Sequence, residues 1–228
     1  GLVMTRPFPT LEETLEALNA LADPSGLSGM ARFGIRPARA LGISMPKLRS
    51  LAKGKRCHPL AQQLWQTGIH EARILASMIA DPSIQTVEEM DAWVADFDSW
   101  DVCDQVCVNL FVRSKFAVDR ALAWAPREPE FVRRAGVVMM AVLAVHAKKM
   151  PDEAFFQFFP VIVRHACDDR NFVKKAVNWA LRGIGKRSPV LCEQALLTAA
   201  EIYALGCPAA RWNGADARRE LEGRCQRG

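Results

Sequence analysis

Apolar residues recur at intervals of three and four along almost the whole chain, the spacing that gathers them on one face of an α-helix. Alternation of apolar and polar residues over four to eight positions is absent, and no Asn-Gly or Asp-Gly hairpin turn occurs. The pattern predicts helices throughout. Proline marks where they break, at Asp23-Pro24, Arg36-Pro37, His58-Pro59, Asp81-Pro82, Met150-Pro151, Ser188-Pro189 and Cys207-Pro208. Capping residues stand at plausible starts: Thr10 before LEETLEALNAL, Asp98 or Ser99 before Trp100, and Asn171 before FVKKAVNWALRGIG.

The helices also repeat. FVRRAGVVMMAVLAVHA (131–147) and FVKKAVNWALRGIGKRS (172–188) open alike and start 41 residues apart. WDVCDQVCVNLF begins 31 residues before Phe131, and IHEARILASMIA begins 31 before Trp100. Helical hairpins at this period bury their apolar faces by stacking on their neighbours. The sequence therefore predicts an all-α fold: a curved α-solenoid of HEAT-like helical hairpin repeats with a concave basic groove, forming one domain over 1–228. Segment 131–147 is apolar nearly all round, as an innermost helix should be.

Composition narrows the class further. Half the residues are hydrophobic and 24% charged, as in ordinary globular proteins. No apolar run approaches the ~18 residues that span a bilayer, and the first residues lack a signal-peptide core. The expectation is a cytoplasmic monomer with no membrane association. The seven cysteines are irregularly spaced without a CxxC pair, so they read as reduced thiols, with no metal and no cofactor expected.

Charge is unevenly distributed. The net charge is +5, but 31–56 hold eight Lys or Arg and no acid, 81–104 hold eight acids and no base, and 164–187 hold seven bases against two acids. Basic blocks suit a polyanion, although charge runs are more often solvated faces. Within the third block, Lys175, Trp179, Arg182 and Lys186 follow i, i+4, i+7, i+11, a basic stripe with one indole in it. Aligning the repeats puts Arg134, Lys174 and Lys175 at helix starts, where free N–H groups favour phosphate. Trp100 and Asp104 stand one turn apart at a matching station. Their structural alternatives are a core indole and a cap or ion pair. An acid among cations is expected to stay ionised, and the cost it imposes on phosphate binding is easier to understand if it has a chemical role.

Taken with the helical repeats, these motifs resemble the bacterial AlkD-like DNA alkylation repair glycosylases. The resemblance covers roughly 30–190. It is carried by SWDVCD, by Arg133-Arg134-Ala135, and by FVKKAVNWALRGIGKRSP, whose Trp is followed three residues later by Arg. It implies that Trp100 and Trp179 contact deoxyribose, that Asp104 is the catalytic carboxylate, and that Arg134 and Arg182 bind the DNA backbone. Lys174, Lys175 and Lys186 join them as DNA-binding candidates. Phe33 stands where the family usually has Tyr, so a hydroxyl contact is missing there.

The implied activity is hydrolysis of the N-glycosidic bond of cationic N3- or N7-alkylated purines in double-stranded DNA, a base excision repair step in a nucleoid-associated bacterial protein. The leaving group is already cationic and needs no general acid. An oxocarbenium-like sugar develops instead, as in glycoside hydrolysis generally, and a carboxylate would stabilise it and orient water. The alternative is a non-enzymatic DNA-binding protein on the same scaffold that recognises bent or branched DNA; a third is a protein-interaction scaffold. GIGKRS (183–188) lacks the first glycine and the Ser/Thr of a phosphate loop, and His70-Glu71 lacks the second His of a zinc protease.

Overall fold

The computed structural model describes residues 8–225. Among the described residues there are thirteen α-helices, two short 3-10 turns and no strand, so the chain is all-α as its periodicity predicts. None of these helices is long and apolar enough to cross a membrane. Cα packing divides the chain into two compact units, 1–86 and 87–228.

The first unit contains α1 (Leu11–Leu21), α2 (Pro24–Arg32), α3 (Met45–Ala52), α4 (His58–Gln66) and α5 (His70–Ile79). Thr10 caps α1 as predicted, its hydroxyl accepting from the Glu13 N–H. Asp23 does the same for α2 through the Ser25 N–H, with Pro24 in the first turn, where no donor is needed. The linker before α3 is held by Glu71 of α5. This buried carboxylate accepts the N–H groups of Leu41, Gly42 and Ile43 at 2.8, 2.8 and 3.1 Å. Gly42 has φ +78°, and a Cβ there would lie 2.2 Å from the Asp23 carbonyl oxygen, so only glycine fits the turn.

The second unit contains α6 (Val87–Ala95), α7 (Trp100–Asn109), α8 (Ala117–Trp124), α9 (Glu130–His146), α10 (Phe158–His165), α11 (Asn171–Gly185), α12 (Pro189–Tyr203) and α13 (Pro208–Leu221). Helices α7, α9, α11 and α13 neighbour one another in that order, and α8, α10 and α12 pack against them. This is the hairpin stacking that the period predicts. The row runs parallel: Cys103 and Cys107 of α7 lie against the Phe131 and Ala135 carbonyls of α9, and Lys174 and Arg182 of α11 lie against Trp212 and Glu220 of α13.

Helix α9 is the centre of this unit, with every residue from Val132 to Ala144 buried. Its entry is tight: a Cβ on Gly136 would lie 2.3 Å from the Ala125 nitrogen, so α8 and α9 approach backbone to backbone. Its end is closed by Arg187, whose guanidinium donates to the carbonyls of Ala144, Ala147 and Met150 at 2.9, 2.8 and 2.7 Å and lies 4.5 Å from the Phe155 ring centre. Carbonyls left without an intrahelical partner at a helix C-terminus are thereby satisfied.

The cysteines depart from expectation. Cys167–Cys207 and Cys192–Cys225 are disulfides, while Cys57, Cys103 and Cys107 are free thiols. The pairs are 40 and 33 residues apart, about one repeat, so their irregular spacing concealed that they fall in neighbouring hairpins. In the chain-entropy account, a loop of that length corresponds to about 4 kcal/mol. Cys207→Ser is therefore expected to lower the melting temperature by several degrees under oxidising conditions and to leave it unchanged in excess dithiol, as read by circular dichroism.

Candidate functional site

The SWDVCD stretch forms the start of α7, with Ser99 as its N-cap residue. Ser99 does not cap the helix through its side chain; its hydroxyl donates to Asp101 at 2.7 Å instead. Trp100 and Asp104 stand one turn apart on this helix, both partly accessible. Burial raises the Asp104 carboxyl above its ordinary value, and the charge and hydrogen bonds of Arg134 oppose that rise without overcoming it. Arg134 is the cation that favours the ionised form here, and burial opposes it.

Arg134 is the largest correction. It is not an exposed phosphate contact: its side chain is 7% accessible and grips Asp104 with both ends of its fork. Nε donates to Oδ1 at 3.0 Å and Nη2 to Oδ2 at 2.8 Å, while Nη1 donates to the Phe172 carbonyl of α11. Burial would lower the Arg134 pKa, but the attraction of Asp104 raises it overall, so the guanidinium stays charged. One side chain thus ties α7, α9 and α11 together. The Asp104 side chain keeps 15% of its surface, and each oxygen retains a second lone-pair direction.

Arg133 was not among the candidates and proves equally structural. It donates to the Ala125 carbonyl at 3.0 Å and to Asp168 at 2.8 Å, joining the α8–α9 turn to the α10–α11 turn. Arg170 reaches the same carboxylate at 2.7 Å and the Glu128 carbonyl at 2.7 Å. Burial pushes the Asp168 carboxyl up, yet hydrogen bonds from Arg170 and Arg133 hold it down at about 2.

Helix α11 begins at Asn171, so that residue opens the helix rather than capping it. Along it, Lys175 and Lys186 are exposed, whereas Trp179, Arg182 and Lys174 are partly covered. The opening Phe172 packs against Phe131 of α9, their tilted rings 5.8 Å apart centre to centre. The stripe is less basic than its sequence suggests, because α13 brings acids to it. Arg182 donates to Asn178 at 2.8 Å and lies 3.8 Å from Asp216 and 4.0 Å from Glu220. Lys186 pairs with Glu220, and Asn178 donates to Asp216 at 2.9 Å. The Asn178 hydrogen bond, more than offsetting burial, and the cations Arg219 and Arg182 keep the Asp216 carboxyl below its ordinary value. Lys174 lies 5.0 Å over the Trp212 ring.

Asn178, Asp216, Glu220 and Trp212 were missed by sequence reasoning. Their signal was a constant offset: Lys174 to Trp212, Asn178 to Asp216 and Arg182 to Glu220 are each 38 residues apart. Phe33, in the first unit, ends α2 at 71% exposure between Arg32 and the left-handed Gly34.

A row of parallel helices carrying an aromatic, a clamped carboxylate and exposed cations defines a HEAT-like helical-repeat protein with a polar site on one helix row. The family described as DNA alkylation repair enzyme matches residues 14–210, and the chain belongs to that family. A solved structure described as a new family of proteins related to the HEAT-like repeat DNA glycosylases, with affinity for branched DNA structures, has the same fold. It superposes with a TM-score of 0.72 at 23% identity, over 85% of this chain and 83% of that one. No curated protein matches the chain.

Two outcomes test the site's supports. Arg134→Met leaves a partly buried carboxylate without its guanidinium, and chemical denaturation is expected to show a loss of about 3–5 kcal/mol. Asp168 is depressed in the folded state, so its stabilisation is complete above about pH 4 and is lost as pH falls toward about 2. The stability of Asp168→Asn should therefore depend less on pH across that window than that of the parent protein.

Proposed function

We propose that this protein is a DNA N-glycosylase that removes cationic N3- or N7-alkylated purines from duplex DNA. The observation that supports this most is the Asp104 carboxylate, partly exposed one turn after Trp100 and held in a single orientation by the Arg134 fork. Family membership points to the same chemistry class. In this reading the alkylated base leaves without a general acid. The free face of Asp104 stabilises the oxocarbenium-like deoxyribose and orients the attacking water, whose proton is released to solvent. Trp100 and Trp179 offer ring faces to the sugar cation, each worth roughly 0.5–2 kcal/mol. Lys174, Lys175, Arg182 and Lys186 contact the phosphates. Phe33 packs on the backbone as an aromatic without a hydroxyl. Arg134 acts through Asp104 as a positioning residue rather than as a phosphate ligand. The protein works as a monomer.

Because Arg134 offsets part of the Asp104 charge, a second reading has its own support: a protein that binds branched or bent DNA without excising a base. The similar solved structure is described as belonging to proteins with affinity for branched DNA.

Release of 7-methylguanine from methylated duplex separates the two. Asp104→Asn keeps one amide oxygen as acceptor for Arg134 but turns its NH2 toward the second donor, so stability is expected to fall. In protein that circular dichroism shows to be folded, DNA binding is expected to persist while base release falls on the order of 10²–10³-fold. Because burial raises the Asp104 carboxyl, the acid limb of the parent's rate profile should lie above the ordinary value of an aspartate, with activity falling as pH drops through it. Binding with no base release by the parent protein would establish the second reading. Equal release by parent and Asp104→Asn would end the assignment of Asp104.

A further inference from the structure

The family match ends at residue 210, two residues before a tryptophan that a folded protein would ordinarily hide. Trp212 on α13 is 42% exposed. Lys174 of α11 lies over its ring, and Lys175 beside it is open to solvent. Arg219 follows Trp212 by seven residues, two turns along the same side of α13, with 70% of its side chain exposed and one contact to Asp216 at 3.3 Å. The two acids nearby are turned to α11, where Asp216 meets Asn178 and Arg182, and Glu220 meets Lys186. Five cations (Lys174, Lys175, Arg182, Lys186 and Arg219) therefore face two acids across the α11–α13 pair.

Helix α13 is also tied down at both ends. Cys207, its N-cap residue, is bonded to Cys167, and Cys225, just beyond its end, is bonded to Cys192. Its buried side is filled by Ala209, Ala210, Ala217 and Leu221, which fixes the side it turns outward. An exposed indole among cations on a rigid helix matches the combination that grips a nucleic-acid backbone, in which charges meet phosphates and a ring packs between them. An excess of positive charge at the indole disfavours an apolar protein partner, whose interface core would be depleted of charge.

We propose that α13 extends the DNA-binding face by one helix, with Arg219 and Lys175 on phosphates of the duplex flanking the lesion and Trp212 packed against the deoxyribose between them. This rests on the DNA reading above, and it lengthens the footprint beyond the part of the chain that matches the family.

The test is anisotropy of a labelled 30-base-pair duplex titrated with full-length protein at several salt concentrations. Trp212→Ala and Arg219→Ala are expected to weaken binding about three- to tenfold. Arg219→Ala should also reduce the slope of log affinity against log salt by about 0.9, one phosphate contact. Arg218→Ala is the control. Its side chain is 71% exposed, paired with Glu222 and a full 100° around the helix from Arg219, so it should bind as the parent does. Circular dichroism melts confirm that each variant is folded, and Arg219→Ala, which removes only an exposed side chain, keeps the test valid if Trp212→Ala is not. Parent-like affinity and salt slope in Arg219→Ala would overturn the proposal and leave the DNA reading intact. An equal loss in Arg218→Ala would overturn it too, by showing only bulk charge. A parent protein that binds no duplex would bring down the DNA reading itself.

Discussion

The two-pronged ion pair between Arg134 and Asp104 is the contact on which the second unit's polar face depends. A guanidinium has five donors in a rigid plane, and here that plane reaches a carboxylate on α7 and a backbone carbonyl on α11 from the helix between them. Such a pair is a weak source of net stability, because removing both charges from water is costly. What it supplies is geometry. It sets the orientation of the Asp104 oxygens, and any chemistry that needs a preorganised anion at a developing cation depends on that orientation.

The neighbouring arginines divide the remaining work. Arg133 and Arg170 share Asp168 and sew two turns of the repeat together, and Arg187 closes the end of α9 by taking the carbonyls of Ala144, Ala147 and, in the turn beyond, Met150. Arg170 and Arg187 come from a basic block that looks, in one dimension, like a polyanion surface, and Arg133 from the Arg133-Arg134 pair outside it. Several are internal instead, because stacked hairpins leave many helix ends that need donors and acceptors, and arginine carries donors to them while laying its stem on apolar neighbours. Along α11 and α13 the cations that face outward include Lys175, Lys186, part of Arg182, and Arg218 and Arg219 from a helix that the family motifs do not reach.

This division bears on how the proposed base excision and DNA binding would share one helix row. A bare carboxylate repels phosphate. One that is paired from behind by Arg134 costs less in affinity and retains its outward lone pairs. The compensation also weakens the field that Asp104 can apply, which is why the excising and the merely binding readings diverge on this residue.

Periodicity along the chain was sufficient for the all-α fold, for helix positions to within a residue at α9 and α11, and for the pairing of Trp100 with Asp104 on one helix, because three-and-four spacing and a 31- to 41-residue repeat are properties of the chain alone. It also placed Lys175 and Lys186 outward correctly, as exposure on an amphipathic helix follows from its apolar stripe. Which basic residues turn inward depended on neighbours in other repeats. Arg134 is internal only because a carboxylate and a carbonyl lie 30 and 38 positions away, and Cys167 and Cys207 meet only because one repeat separates them. The acids that temper the α11 stripe come from α13 in the same way. Contacts between stacked repeats join residues tens of positions apart, and no local pattern records which side chains will share that space. Only the tertiary structure could decide it.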